Sequence, residues 1–238
     1  DHFGDFRPEV HDYDGRLVAP DPDSRLWRPL NTWRERHTTD FPAPAIQGYG
    51  LLQRDRRFED YEDTEARYEK RPSVWIEPIG TWMPGRVRLF EMPTANEYMD
   101  NVVAFWSPLN PIEPGKPVEF SYRMHWTGIP ATGGPPGRVR ATRETVRVER
   151  AKRSKFVIDF ESDGLKAIPA SANVTPEITV PPDVSVLDRR VFRNEVDGSW
   201  RLAVLFDAPR VSRTVELRAR LLLEGKPLTE TWVSNWEP

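Results

Sequence analysis

Proline recurs 24 times in this 238-residue chain, against 14 Gly, and that ratio does most to limit the folds open to it. A Pro in a helix interior removes a backbone donor and clashes with the preceding turn. The spacing therefore predicts many stiff loops, few long helices and short strands. SVWIEPI (73–79), GRVRLFEM (85–92) and NVVAFWSP (101–108) read as strands, and VEFSYRMHW (118–126) alternates with Val118, Phe120, Tyr122 and Met124 on one face. After the Pro/Gly-rich stretch PATGGPPGR (130–138) the texture becomes regular β. TVRVER, KFVIDFES, EITVPP, RRVFRNEV, WRLAVLF, TVELRARLLLE and TETWVSN follow with turn signals between them, notably Asp197-Gly198 and Gly225-Lys226-Pro227. Such spacing suggests an immunoglobulin-like sandwich. Residues 1–50 read as loop-rich, GYGLLQ (48–53) as a short buried strand, and RDRRFEDYEDTEARYEKRPS (54–73) as a short helix or an ordered loop, with Phe58, Tyr61 and Tyr68 spaced three and seven apart, that Pro72 ends.

Charge and composition remove several function classes. The net charge is −3, with 34 basic and 37 acidic residues interspersed. That balance lacks the basic face needed to grip nucleic acid or an anionic membrane. The one basic-rich stretch, RVRATRETVRVERAKR (138–153), contains acids and reads as a solvated strand. Cys is absent, which excludes thiol catalysis, disulfides and Cys-based zinc sites. No apolar run reaches the length of a membrane-spanning helix. There is no phosphate-binding glycine loop, no GxSxG elbow and no HExxH pair among the four scattered His. His11 beside Asp12 is the one pairing that suggests a metal, but a lone His is usually structural, so no metal and no cofactor is expected.

What remains is carboxylates among aromatics. Glu9, Asp12 and Asp14 lie near the start, Asp60, Glu62, Asp63 and Glu65 in the charged loop, and Glu97 and Asp100 just before a strand. Glycoside hydrolysis needs an acid for the leaving oxygen, a base for water and flat apolar platforms for sugar rings. Nine Trp supply candidates for the last role. Trp27, Trp33 and Trp82 lie in loop-like sequence and suit stacking, whereas Trp75 and Trp106 read as core. The bland alternatives stay open. Asp100 suits a strand start that accepts backbone N–H bonds, Asp12 an Asx turn, and Tyr68 simple ring packing. Arg54, Arg56, Arg57 and Arg71 suit either sugar hydroxyls or the neighbouring acids.

Three stretches carry a resemblance. RPEVHDYDG (7–15), GYGLLQRDRRFEDYEDTEARYEKRPSVWIEP (48–78) and EMPTANEYMDNVVAFW (91–106), continued through TETW (229–232), are similar to the bacterial periplasmic glucan biosynthesis proteins G and D. The resemblance runs along the whole chain and places it as the C-terminal half of such a protein. It implies an all-β architecture. Residues 1–127 would be the second half of a large galactose-mutarotase-like β-sandwich, 128–140 a linker and 141–238 a small immunoglobulin-like sandwich. The secretion signal and the first half of the large sandwich would precede this chain. Without them, residues 1–127 would expose an apolar face and be prone to aggregation, and this half alone would be inactive.

The resemblance also implies a role in making osmoregulated periplasmic glucans, and for some members inverting β-1,2-glucanase activity. The family's general acid falls on Asp100 and its general base, acting through a proton relay, on Asp12. Glu97 and Tyr68 fall on substrate or relay positions. Asp100, flanked by apolar and aromatic residues, would keep its proton through desolvation. The implied partners are β-1,2-glucan and a membrane glucan synthase, with no nucleic acid and no insertion into the membrane; the implied location is the periplasm. The runner-up is a non-catalytic glucan-binding or scaffolding protein beside a membrane glucosyltransferase. An aldose epimerase-like enzyme is a third reading, suggested by the sandwich alone.

Overall fold

The computed structural model describes residues 14–31, 33–93, 101–128, 132–146 and 152–238. It is nearly all β. The strands are β1 (Gly15–Ala19), β2 (Leu26–Pro29), β3 (His37–Ala43), β4 (Gly48–Leu52), β5 (Ser73–Pro78), β6 (Gly85–Glu91), β7 (Val102–Pro108) and β8 (Tyr122–Thr127). They continue as β9 (Arg138–Val146), β10 (Arg153–Glu161), β11 (Val174–Thr179), β12 (Ser185–Arg193), β13 (Trp200–Asp207), β14 (Val215–Leu223), β15 (Lys226–Pro227) and β16 (Thr231–Trp236). Two one-turn helices, α1 (Phe58–Tyr61) and α2 (Asp163–Lys166), and a 3-10 turn at Tyr68–Lys70 complete it. The chain divides into two units, Asp1–Asp23 with Leu30–Gly133, and Ser24–Pro29 with Gly134–Pro238.

In the first unit β1, β4, β5 and β8 form an antiparallel sheet in that order, and β3, β6 and β7 form a second. Arg16 of β1 is fully buried with its guanidinium 3.6 Å above the Phe41 ring of β3, so the two sheets meet through a cation–π contact. The GYG of β4 has a steric cause. A Cβ at Gly48 would meet the Trp75 indole at 2.2 Å, and one at Gly50 the Val74 carbonyl at 2.1 Å. Pro42 is tolerated because β3 is an edge strand. Toward β8 the apolar face is uncovered: Tyr122, Met124 and Trp126 alternate on one side of the strand, and Trp126 is 65% exposed.

The second unit pairs β12-β13-β10-β9 in one sheet and β11-β14-β16-β2 in another, with β15 folded back on β14. Along β13, Trp200, Leu202, Val204 and Phe206 are buried and alternate with half-exposed residues, the period-2 pattern of a strand with one face in a core. Phe156 of β10 stacks near Trp232 of β16 at 5.3 Å between centroids. The TETW stretch is structural: Thr229 Oγ1 accepts the Leu221 N–H, the Glu230 carboxylate accepts the Val139 N–H at 2.7 Å, and Trp232 is fully buried. Glu224 and Gly225 both take positive φ, 51° and 78°, which suits the two-residue hairpin joining β14 to β15.

Several local expectations are corrected. Residues 1–50, read as loop-rich before the GYGLLQ strand, hold β1 to β3 as well, while GYGLLQ contains β4 as expected. β1 and β2 were too short and too continuously buried to show a period, and β3 is mostly polar and carries Pro42. The 118–126 strand begins only at Tyr122; Phe120 instead packs its ring against Trp82 and Trp106 at 5.4 and 5.1 Å. The Asp197-Gly198 turn does join two antiparallel strands, but through six residues between Arg193 and Trp200.

Candidate functional site

The loop from Gln53 to Pro72 leaves β4 and returns into β5, and its fixation begins with one carboxylate. Asp14 precedes β1, donates its N–H to the Leu52 carbonyl at 2.9 Å and accepts at its own carbonyl from the Leu30 N–H at 2.8 Å. Its side-chain Oδ2 accepts the N–H groups of both Arg54 and Asp55. Charge-assisted acceptance of two amides holds the first turn of the loop rigidly. Further along, Glu62 and Arg67 adopt left-handed φ values of 54° and 52°, and these two turns fold the loop back on itself. Asp63 Oδ1 accepts the N–H groups of Glu65 and Ala66 at 2.7 and 2.8 Å, closing the bend between them.

Tyr68 sits in the 3-10 turn with its side chain buried. The Arg71 guanidinium lies 5.6 Å from its ring centroid, and the Tyr61 ring 6.2 Å away. Its carbonyl accepts a hydrogen bond from Gln53 Nε2 at 3.2 Å, while the same amide donates to Tyr61 Oη at 2.5 Å. Arg56 clamps the loop from the other side. It donates to the carbonyls of Glu69, Arg71 and Gly128 at 3.1, 2.5 and 2.9 Å. Arg57 instead pairs with Asp60 through two bonds of 2.8 and 2.5 Å. Arg56 is therefore a backbone clamp, and Arg57 an acid partner.

Electrostatics separate the loop carboxylates. Burial pushes Asp55 up to about 6, and Asp60 and Asp14 facing it add to that; the Arg57 N–H bonded to it works the other way. Asp60 moves down because Arg57 donates to it. The two titrate together, with the proton favouring Asp55 because Arg57 stabilises the charge on Asp60.

A second brace stands at the end of the β6–β7 hairpin. The Met92 N–H donates to the Asn101 carbonyl at 2.8 Å. Glu91, the last residue of β6, is buried and accepts the Trp33 indole N–H at 2.8 Å, and His37 stacks on Trp33 at 3.6 Å. Trp33 is thus a brace rather than a sugar platform, and Trp27, 3% exposed, is likewise core. Trp82 is half-buried in a cluster with Trp106, Phe120 and Tyr122.

Of the four site residues expected from sequence, Tyr68 lies in this loop; Asp12, Glu97 and Asp100 fall outside the described residues. In the chain, Asp12 comes two residues before Asp14, and Glu97 and Asp100 lie between Met92 and Asn101. Sequence reasoning missed Gln53, Asp55 and Glu91, because single polar residues at strand ends carry no periodic signal.

The comparisons bear on the whole chain. The model of the periplasmic glucan biosynthesis protein family (MdoG) matches residues 1–236. Glucans biosynthesis protein G of Vibrio cholerae serotype O1 is 40% identical over 237 residues, covering 98% of this chain and 42% of that protein. Its counterpart in Pseudomonas paraeruginosa is 39% identical, covering 95% of this chain and 45% of that protein. The probable glucans biosynthesis protein D of Shewanella oneidensis is 38% identical, with coverage of 98% and 44%. The chain thus spans less than half the length of these curated relatives. With the family model matched from end to end of the described fold, this chain belongs to the periplasmic glucan biosynthesis protein family.

Proposed function

We propose that the protein acts in the periplasm on the β-1,2-glucan backbone as an inverting glucanase. Asp100 donates a proton to the departing glycosidic oxygen, and Asp12 draws a proton from the attacking water through a relay. Glu97 and Tyr68 contact substrate or the relay. Inverting enzymes hold their two carboxyls roughly 6.5–9.5 Å apart, and a relay permits more. The observation that supports the reading is the family match over residues 1–236; the assignment of Asp12, Tyr68, Glu97 and Asp100 to these roles rests on the resemblance of the sequence stretches around them. The Tyr68 turn, held from three sides by Gln53, Arg56 and the bend at Asp63, supports it as a preorganised position.

The test is reducing-end release from linear β-1,2-glucan by the full-length protein and its Asp100→Asn variant. Loss of an acid catalyst costs on the order of 10²–10⁴-fold in rate. Product anomers read by NMR report inversion. A second reading is favoured by the relatives' names, which specify biosynthesis. It makes the protein a non-catalytic glucan-binding partner of a membrane glucan synthase. Tight glucan binding without cleavage by the wild type would select it.

A further inference from the structure

Gln53 and Tyr61 are both fully buried, and burying polar groups costs stability unless every donor is used. Their donors are used in one direction. Gln53 Nε2 carries two protons; one goes to the Tyr68 carbonyl at 3.2 Å and the other to Tyr61 Oη at 2.5 Å. Tyr61 Oη then has one proton left, and it faces Asp14 Oδ1 and the Asp55 carbonyl, each at 3.4 Å. The other oxygen of Asp14 holds the Arg54 and Asp55 amides. A continuous hydrogen-bonded chain therefore runs from the backbone of the Tyr68 turn to Asp14, the residue before β1.

We infer that Gln53, Tyr61 and Asp14 form a positioning chain that ties the Tyr68 turn to the start of β1, two residues after Asp12. The inference rests on the glucanase reading for its catalytic consequence, not for its structural one. The loop has fastenings that do not involve the Tyr61 hydroxyl. Arg56 clamps the Glu69 and Arg71 carbonyls, and Asp63 closes the 63–66 bend, without it. What the hydroxyl adds is a link between two segments far apart in sequence, Tyr61 and Asp14, 47 residues away. Asp14, Tyr61 and Gln53 are positioning residues, since none is argued to touch substrate.

The experiment compares Tyr61→Phe and Gln53→Ala in the full-length protein with Ser162→Ala. Ser162 caps α2 in the other unit, accepting the Leu165 N–H at 3.1 Å, so its loss gives a control for a simple fall in melting temperature. Misplacing a catalytic group by about 1 Å costs up to ~10²-fold, so kcat in Tyr61→Phe is expected to fall on the order of 10–100-fold with KM within about twofold of wild type. Hydrogen exchange is expected to accelerate at 66–71 and to stay unchanged in β4 and β5. Unchanged kcat with unchanged exchange overturns the inference, as does an equal kcat loss in Ser162→Ala. If the wild type cleaves no glucan, the activity reading falls, and protection at 66–71 in the two variants alone decides the positioning chain.

Discussion

Two carboxylates, fully buried Asp159 in one unit and half-buried Asp55 in the other, lose water to the protein and end with opposite character. Asp159 on β10 is fully buried, and burial alone would raise its pKa. Arg201 reaches it with bonds of 2.6 and 2.9 Å and Arg143 with one of 2.8 Å, and together they outweigh burial and hold it below its ordinary value. Arg140 adds a third guanidinium at 3.7 Å. Asp55 faces Asp60 and Asp14 instead of guanidinium groups and is pushed up to about 6. Desolvation is common to both; the neighbours decide its outcome. A carboxylate surrounded by cations is a structural rivet. One left with a half-held proton beside a buried loop is what acid–base sites are made from.

The largest test removes the rivet. Asp159→Asn leaves three guanidinium groups without their buried anion, and breaking such a cluster costs about 3 kcal/mol. Urea unfolding should show a lower midpoint at unchanged slope. A loss under ~1 kcal/mol would mean that solvent already screens those partly exposed arginines.

Glu91 is another buried carboxylate, and the Trp33 indole N–H donates to it. Trp33→Phe removes the indole N–H from Glu91 while leaving a ring to stack on His37. The expected cost is ~1–2 kcal/mol, read from the same unfolding curves. Faster hydrogen exchange should also appear at Met92, next to Glu91. No change in either measurement would assign Glu91 to its other contacts.

The smallest effect sharpens the comparison through pH. A carboxylate whose folded pKa is raised stabilises below its unfolded value and loses that contribution as pH rises through the folded one. For Asp55 the window is about pH 4 to 6. Asp159, with its pKa lowered, behaves oppositely: its contribution is present above the unfolded value and vanishes as pH falls below about 4. Asp55→Asn should flatten the pH 4–6 slope of stability and gain about 1 kcal/mol at pH 7, discounted for partial exposure. A slope unchanged by that substitution would locate the titrating proton elsewhere in the loop.

Much of the fold was legible before any coordinates. β13, β14 and β10 announce themselves because alternating apolar residues face one core, so each strand's own sequence reports its environment. The all-β class and the charged ordered loop were legible for the same local reason. β1, β2 and β3 were not: β1 is buried at every position, so it shows no alternation, and β2 is only four residues long. At the candidate site, residue type was readable and partnership was not. Tyr68 returns to Gln53 because Glu62 and Arg67 turn left-handed and fold the loop back, and Asp14 comes alongside through the pairing of β1 with β4.

The chain's own residues thus determined its β class, its carboxylate-rich and cysteine-free chemistry, and the motifs by which it belongs to its family. Tertiary structure alone decided which carboxylate is held below its ordinary pKa and which is pushed above it. It also decided that Trp33 braces Glu91 instead of facing solvent, and that Arg56 grips three carbonyls instead of an acid. Desolvation and hydrogen-bond valency depend on neighbours that the fold brings in from as far as 72 residues away, and no local pattern in a sequence records them.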